Sequence, residues 1–120
     1  MQLRLRGLFN LESVYTKVYT INMKDMHFSG IQWDRGNRAK CQKHGVTLAE
    51  IEYLFQNDPG IAPDIDHSQA ESRFFAIGKT GKGRSVFVVF TIGGDAIRPI
   101  SARYMHPKEV ARYEKEAPHS

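Results

Sequence analysis

The second half of the chain alternates between apolar runs and short turns that contain glycine. Residues 73–78, 84–92 and 96–103 form three such runs. Runs rich in β-branched and aromatic residues, bounded by turn residues, are typical of strands joined as hairpins. Residues 86–90 are apolar on both faces, which places the middle strand at the centre of the sheet. The pattern therefore predicts a three-stranded antiparallel meander.

Two helices are predicted before this meander. Asp34 is typical of a helix N-cap, so the first helix should cover residues 35–44, with Gly45 at its C-terminal cap. Residues 47–50 form a capping-box pattern that opens a second helix, and a turn at residues 58–60 ends it. The apolar side chains of the second helix share one face: Leu48, Ile51, Leu54 and Phe55.

A short strand and a closing helix complete the predicted elements. Residues 27–33 have the composition of a strand. Pro107 is typical of the first turn of a helix, which continues to about Glu116. Strands and helices in this order are typical of the α+β class. The chain is thus predicted to form one α+β domain, an antiparallel β-sheet packed against helices.

The start of this domain is less sharply marked. Residues 14–21 are rich in β-branched and aromatic side chains and could form another strand. Met23 or Met26 could equally be the natural start, which would make the residues before it an appendage. We therefore divide the chain into three parts: an N-terminal extension (1–25), the main domain (26–116) and a C-terminal tail (117–120).

Charge and cysteine content limit the function classes. The net charge of +4 and the pI of about 9.3 favour polyanionic partners such as nucleic acid or an acidic protein. Cys41 is the only cysteine, which excludes an intramolecular disulfide and a metal site of several thiolates. No apolar stretch approaches the roughly 18 residues of a membrane helix, and the N-terminus lacks the pattern of a secretory signal. A cytoplasmic protein is expected.

The first predicted helix carries a run of basic residues: Arg35, Arg38, Lys40, Lys43 and His44. A solvated helix face is the commoner explanation of such a run. The alternative is a surface that binds phosphates or a partner protein. Under that alternative, the candidate RNA-binding residues are Arg38, Lys43 and His44.

The segment that joins the second helix to the meander is another candidate. It places His67 and Glu71 in a predicted loop, where catalytic groups are common. Histidine titrates near neutral pH, so His67 could exchange a proton with a substrate hydroxyl. The alternative is structural, with Glu71 paired to Arg73. A metal site formed by Asp64, Asp66 and His67 is disfavoured, because such clusters often arise by chance.

Three arginines near the ends of predicted strands are the last candidates. Arg98 and Arg103 are an odd number of positions apart, so they would face opposite sides of a regular strand. Pro99 cannot donate a sheet hydrogen bond, which indicates an edge position or a bulge that changes this facing. Arg84, beside the predicted hairpin turn, could join them. Guanidinium groups suit phosphate because they present a planar fork of donors and keep their charge.

Taken in order, the residues resemble the BrnT toxin family. The resemblance covers residues 28–116 and rests on Trp33-Asp34, Lys43-His44-Gly45-Val46-Thr47, Asp66-His67-Ser68 with Glu71 and Arg73, Ile77-Gly78, Gly83-Arg84, Ile97-Arg98, Ile100-Ser101-Ala102-Arg103, Glu109 and Tyr113-Glu114. Pro99 departs from the aliphatic residue that many members carry there. The resemblance implies a RelE-like two-layer fold, RNA cleavage without metal or cofactor, and a hetero-oligomer with an inhibitory BrnA-type antitoxin.

A mechanistic hypothesis follows from the resemblance. RNA would be cleaved by attack of its 2′-hydroxyl on the adjacent phosphate, with His67 and Glu71 transferring protons. The cations expected to stabilise the transition state are Arg84, Arg98 and Arg103. The alternative is a basic interaction module or nucleic-acid-binding module without catalysis, which would use the same arginines for affinity.

Overall fold

The computed structural model describes residues 30–64 and 72–116. Within these ranges the chain forms three helices: α1 (Arg35–Cys41), α2 (Leu48–Gln56) and α3 (Pro107–Glu116). It also forms five strands: β1 (Gly30–Ile31), β2 (Gly60–Pro63), β3 (Arg73–Lys79), β4 (Ser85–Gly93) and β5 (Ala96–Tyr104).

The five strands form one sheet in the order β1-β5-β4-β3-β2. Strands β2 to β5 pair antiparallel with their neighbours, whereas β1 pairs with β5 in parallel. β4 lies at the centre, as its doubly apolar run predicted. The α+β class and the meander of β3, β4 and β5 are confirmed. The sheet differs from a wholly antiparallel one only at its short edge strand β1.

The sequence pattern gave no indication of β2. Residues 58–60 were interpreted as a turn, followed by a connecting segment. In the structure Gly60–Pro63 pairs with residues 74–77 of β3. The strand is short and ends in a proline, which is tolerated because β2 lies at the edge of the sheet. Four residues with this composition carry too little periodicity to be recognised as a strand.

Both α1 and α2 begin at their predicted caps. Oδ1 of Asp34 accepts the backbone N–H of Asn37 at 3.0 Å, and Oδ1 of Asn37 accepts the backbone N–H of Asp34 at 2.7 Å. Thr47 and Glu50 exchange the equivalent bonds at 3.1 and 2.9 Å. Each box satisfies two backbone donors that a helix start otherwise leaves without partners.

The end of α1 was predicted three residues too late. The helix ends at Cys41 rather than near His44, and residues 42–45 form a turn. The backbone N–H of Gly45 donates to the carbonyl of Gln42 at 3.1 Å, and the φ angle of Gly45 is +93°. A positive φ favours glycine, which lacks the Cβ that would make it strained. The basic residues just before Gly45 therefore lie on an exposed turn.

Helices contact both faces of the sheet. On one face Cys41 and Ile51 of α1 and α2 pack with Phe90 of β4 in the main core. On the other face Val110 of α3 packs in a smaller cluster that contains Phe87 of β4. The sheet with α1 and α2 thus forms two layers, and α3 covers part of the opposite face.

Strand β5 contains a bulge at Ile100. Val89 pairs with Ser101, whereas the next residue, Phe90, pairs with Pro99, so Ile100 has no residue directly opposite it on β4. An extra residue of this kind reverses the facing of all residues that follow it in the strand. Of the two explanations offered for Pro99, the structure shows the bulge.

Candidate active site

The bulge brings Arg98 and Arg103 to the same face of β5. Arg98 pairs opposite Thr91, and Arg103 pairs opposite Phe87. Directly opposed residues of neighbouring strands share a face. The odd spacing of the two arginines would have separated them in a regular strand. They remain near opposite ends of β5, roughly 15 Å apart at the usual rise per residue, so each has its own neighbours.

Arg98 forms an ion pair with Asp34, the N-cap of α1. Nη1 of Arg98 donates to Oδ2 of Asp34. This hydrogen bond, followed by the one from the Asn37 backbone, lowers the pKa of Asp34. Both members of the pair keep a sizeable exposed fraction, 36% for Arg98 and 48% for Asp34. A phosphate that binds Arg98 must therefore share it with this carboxylate or displace it.

Arg103 is held by Glu109 of α3 through two hydrogen bonds. Nη1 lies 2.8 Å from Oε1, and Nη2 lies 2.9 Å from Oε2. The guanidinium carbon also lies 5.0 Å from the ring centre of Phe87. The Arg103 hydrogen bond lowers the pKa of Glu109, so the pair stays charged at neutral pH. Arg103 thus ties β5 to α3.

Arg84 lies at the opposite end of the sheet from Arg98, beside the β3–β4 hairpin. Its guanidinium carbon is 3.5 Å from the ring centre of Tyr104. The Tyr104 hydroxyl donates to Oε1 of Glu50 at 2.7 Å and lies 3.3 Å from the carbonyl oxygen of Gly45. In the part of the chain that the structure describes, no carboxylate is within ion-pair distance of Arg84. We call Arg84, Tyr104 and Glu50 the Arg84 cluster.

The hydrogen bond within the Arg84 cluster moves the two pKa values in opposite directions. It raises the pKa of Tyr104, so the phenol stays protonated and remains a donor. Partial burial raises the pKa of Glu50, but the hydrogen bonds from Tyr104 and Thr47 and the charge of Arg84 together outweigh it and lower this pKa. At neutral pH the cluster therefore presents a carboxylate, a neutral phenol and a guanidinium side by side.

An exposed aromatic ring adjoins the cluster. Tyr53 follows Glu50 by three positions on α2, and residues with this spacing are neighbours on a helix surface. Tyr53 is 42% exposed. The β3–β4 hairpin passes beside the ring, since a Cβ placed on Gly81 would lie 3.7 Å from Cε2 of Tyr53. An exposed ring with a cation nearby is a surface on which unpaired bases can stack.

The basic residues proposed to bind phosphate are all exposed: Arg38, Lys43 and His44. α1 begins at Asp34, beside Arg98, and the turn that follows it ends at Gly45, beside Tyr104. α1 and the turn that follows it therefore run alongside β5, from Arg98 to Tyr104. The turn places Lys43 and His44 near the Arg84 cluster, whereas Arg38 lies on α1, between Asp34 and the turn.

The proposed proton-transfer residues His67 and Glu71 lie outside the described residues. The described residues on either side show where their segment joins the sheet. The backbone N–H of Asp64 donates to the carbonyl of Arg73 at 2.7 Å. Arg73 lies in the same row across the sheet as Arg98. The segment thus starts and ends at the Arg98 end of the sheet, away from the Arg84 cluster.

The described residues also bear on metal binding and on membranes. Among them, no three or more His, Cys, Asp and Glu side chains are grouped so as to hold a metal ion. Asp66 and His67, considered above with Asp64 as a metal site, lie outside these residues. None of the described helices has both the length and the apolar character to cross a membrane.

Glu50 and Tyr104 are members of the cluster that the sequence pattern does not reveal. Glu50 was interpreted only as a capping residue, and Tyr104 was placed just after a strand. Strand alternation beyond the bulge puts Tyr104 on the same face as Ala102, which points toward the helices. That alternation becomes informative only once the bulge is known. The carboxylate partners of Arg98 and Arg103 were also missed, because these pairs depend on how the elements pack in the assembled fold.

A model of one protein family matches residues 33–109, more than half of the chain. The family is described as ribonuclease toxin, BrnT, of type II toxin-antitoxin system. The chain belongs to the BrnT family. As a BrnT protein it is a ribonuclease toxin, with RNA as its substrate and an antitoxin as its partner. The matched range of this BrnT toxin contains the Arg84 cluster, both ion-paired arginines and α1. No curated protein matches the chain.

Proposed function

We propose that this BrnT toxin is an endoribonuclease that cleaves RNA without a metal ion, by attack of a 2′-hydroxyl on the adjacent phosphate. The Arg84 cluster carries the proposal, because it holds a guanidinium at 3.5 Å over an aromatic ring with no ion-pair partner among the described residues. The products are a 2′,3′-cyclic phosphate and a free 5′-hydroxyl. No cofactor is needed, because every bond made or broken to phosphorus belongs to the RNA.

The main task of the cations is to stabilise charge in the transition state. Negative charge accumulates on the phosphate oxygens as the attacking bond forms, and a preorganised cation lowers its energy. Stacking on Tyr104 restrains Arg84 before substrate binds. Arg98 lies too far from Arg84 to contact the same phosphate, so Arg98 and Arg103 are proposed to assist by binding other phosphates of the RNA, for which each must first exchange its carboxylate partner. Arg84 is therefore proposed to contribute most of the stabilisation of the transition state.

RNA is proposed to lie along α1 and across the Arg84 cluster. The residues that would hold flanking phosphates are Arg38, Lys43 and His44. Tyr53 would stack on one base next to the cleaved bond. Bases can stack in this way only when they are unpaired, so the substrate class is single-stranded RNA.

His67 and Glu71 are proposed to transfer protons, as histidine and carboxylate side chains do in general acid–base catalysis. Because their segment joins the sheet at the Arg98 end, they are grouped with Arg98 in this proposal. Variants of His67, Glu71 and Arg98 can therefore be compared directly with variants of the Arg84 cluster.

The antitoxin is proposed to be of the BrnA type and to neutralise the toxin in a hetero-oligomer. An antitoxin that covers α1 and the Arg84 cluster would exclude RNA from the same surface. The net charge of +4 favours an acidic segment of the antitoxin there. Both the toxin and its RNA targets are proposed to meet in the cytoplasm.

The test incubates the purified full chain with total RNA in EDTA and, in a separate reaction, with translating ribosomes in their magnesium-containing buffer. The wild type is compared with Arg84→Ala and with Lys115→Ala, which removes the same charge from an exposed position near the end of α3. We expect wild type and Lys115→Ala to cut equally, and Arg84→Ala to cut about 10²–10³ times more slowly. Fragments should carry 2′,3′-cyclic phosphates, and RNA with a 2′-deoxy sugar at the mapped site should stay intact.

Each alternative has its own result. Loss of wild-type cleavage in EDTA would exclude the metal-independent reaction. Equal cleavage by wild type and Arg84→Ala would remove Arg84 from the site. Binding of RNA without cleavage in either setting would favour the non-catalytic module.

A further inference from the structure

We infer that Glu50 is the proton acceptor for the attacking 2′-hydroxyl and that Tyr104 positions its carboxylate. The inference rests on the proposed function, because it names a base for the same reaction at the Arg84 cluster. His67 and Glu71 would then act on other protons of the reaction, or on other parts of the substrate.

The two oxygens of Glu50 have different surroundings. Oε1 accepts the backbone N–H of Thr47 at 2.9 Å and the hydroxyl of Tyr104 at 2.7 Å. Oε2 accepts no hydrogen bond from the described residues. The carboxylate is therefore fixed through one oxygen, and the other oxygen is available to a substrate that lies over Arg84. A general base needs such a fixed but accessible acceptor.

Helix capping alone does not account for this arrangement. The capping box requires only the bond between Glu50 and the Thr47 backbone, which α2 would keep on its own. The Tyr104 hydroxyl comes from β5, 54 positions away in sequence, and Arg84 comes from the β3–β4 hairpin. Three separate elements thus place an acceptor, a donor and a cation together at the surface, with Glu50 and Tyr104 half-buried and Arg84 exposed.

The step proposed here balances without any further reactant except solvent. Oε2 of Glu50 takes the proton of the 2′-hydroxyl, and the 2′-oxygen forms a bond to phosphorus. The bond from phosphorus to the 5′-oxygen breaks, and its electron pair leaves with that oxygen. The leaving oxygen takes a proton from solvent, directly or through a second proton-transfer residue, and Glu50 returns its proton to water. Arg84 faces the phosphate oxygens throughout.

Ionisation of the cluster agrees with these roles. The groups that face Glu50 are Tyr104 from β5, Thr47 at the start of its own helix and Arg84 before β4. Partial burial opposes ionisation, but these groups together lower the pKa of Glu50, so it is a carboxylate at neutral pH. Tyr104 keeps its proton, because its hydrogen bond to Glu50 raises its own pKa.

An isosteric variant separates the catalytic role from the structural one. In Glu50→Gln the amide oxygen can still accept from Thr47 and Tyr104, and glutamine also serves in capping boxes. We expect kcat to fall about 10²–10⁴-fold with KM within about threefold, because general-base catalysis contributes about this much. The substrate is an RNA oligonucleotide that carries a site mapped on total RNA.

The matched control is Glu52→Gln on the same helix. Oε2 of Glu52 accepts the indole N–H of Trp33 at 2.9 Å, a bond that a glutamine oxygen preserves. This variant should cut at the wild-type rate. If Glu50→Gln cuts within about threefold of wild type, Glu50 is not the base and the inference is overturned, whereas the proposed ribonuclease stands. If the wild type cuts no RNA, the proposed function fails together with the inference.

A second measurement keeps the inference falsifiable even if Glu50→Gln does not fold. Tyr104→Phe keeps the ring beneath Arg84 but removes the hydrogen bond that lowers the pKa of Glu50. Wild-type kcat/KM should fall as pH drops through this pKa, and in Tyr104→Phe the fall should begin at a higher pH. An acid limb at the same pH in both proteins would show that Tyr104 does not tune the base and would overturn the inference.

Discussion

Glu109 joins Arg103 and the start of α3 through a single carboxylate. Both oxygens accept from Arg103, at 2.8 and 2.9 Å, and Oε1 also accepts the backbone N–H of His106 at 2.8 Å. The first turn of α3 is thereby capped and attached to β5 by the same group. Because only 16% of the Glu109 side chain is exposed, water competes weakly for these bonds.

Replacing this carboxylate should weaken the fold in a pH-dependent way. We expect Glu109→Gln to lower the free energy of unfolding by about 1–2 kcal/mol at pH 7. A lowered pKa in the folded state stabilises the protein above the unfolded pKa, near 4.5, and this stabilisation is lost as pH falls through the folded value. The difference in unfolding free energy between wild type and Glu109→Gln, measured with urea, should be constant from pH 7 to about 5 and should shrink below pH 5. A difference that grows on acidification would contradict this.

The same pair allows the catalytic and structural roles of Arg103 to be separated. Glu109→Gln removes the charged partner but leaves the guanidinium, whereas Arg103→Ala removes the guanidinium itself. If Arg103 contributes to the transition state, Arg103→Ala should lose at least about tenfold more RNA cleavage than Glu109→Gln. Rates are compared at a temperature where both variants are folded. Equal losses would indicate that Arg103 acts only as a tether.

Asn37 should tolerate almost no change. It is 4% exposed, and its Nδ2 donates to the carbonyls of Gln32 at 2.9 Å and Pro99 at 3.0 Å. Asn37→Asp would turn an oxygen toward both carbonyls, so we expect a loss of about 2–4 kcal/mol in urea unfolding. Asn57→Asp is the control, because its bond to the Tyr53 carbonyl is exposed. For Asn57→Asp the loss of unfolding free energy should stay below about 1 kcal/mol.

Cys41 should be unreactive in the folded protein. The residue is 0% exposed, and burial raises its pKa to about 11. Alkylation requires an accessible thiolate, so iodoacetamide should label Cys41 only when the chain unfolds. Mass spectrometry across a urea series would follow the labelling. The positive control is Lys40→Cys, which places a second thiol at an exposed neighbouring position. Rapid labelling of Cys41 in native buffer would contradict the buried placement.

Tyr53 should matter for RNA affinity through its ring and not through its hydroxyl. Base stacking on an aromatic side chain contributes about 1–3 kcal/mol, so Tyr53→Ala should weaken single-stranded RNA binding about 5- to 150-fold. Tyr53→Phe should bind like the wild type. Fluorescence anisotropy with an oligonucleotide made uncleavable by 2′-deoxy substitution measures this directly. If Tyr53→Ala binds with wild-type affinity, the ring does not contact RNA.

The features predicted correctly are those that depend on residues close together in sequence. The caps at Asp34 and Thr47 are local hydrogen-bonding patterns, and the strands of the meander are separated by short turns. Their physical causes act over three or four positions, so the sequence displays them directly. The end of α1 was misplaced because the helix gives way at Gln42 to a turn that closes at Gly45, and the basic residues of that turn are compatible with either structure.

The features that were missed depend on contacts between distant residues. The approach of Tyr104 to Glu50 requires the register of β5 and the packing of α2 on the sheet. The pairing of Arg98 with Asp34 likewise requires the parallel placement of β1, a two-residue strand with little pattern of its own. Such contacts follow from the assembled fold, and no local periodicity encodes them.

The bulge at Ile100 determines which side chains of β5 face the core. Ile97 faces the main core before it, and Ala102 faces the same core after it, so the inward positions change from odd to even numbers along one strand. A regular strand of the same length, without the bulge, would direct Arg103 toward the core and turn Ala102 outward, whereas deleting Ile100 would leave both side chains facing as they do. The bulge, and not the number of residues alone, therefore decides the facing of the second half of β5. Arg98 and Arg103 lie on one face of the sheet of this toxin because β5 has one residue more than the stretch of β4 with which it pairs.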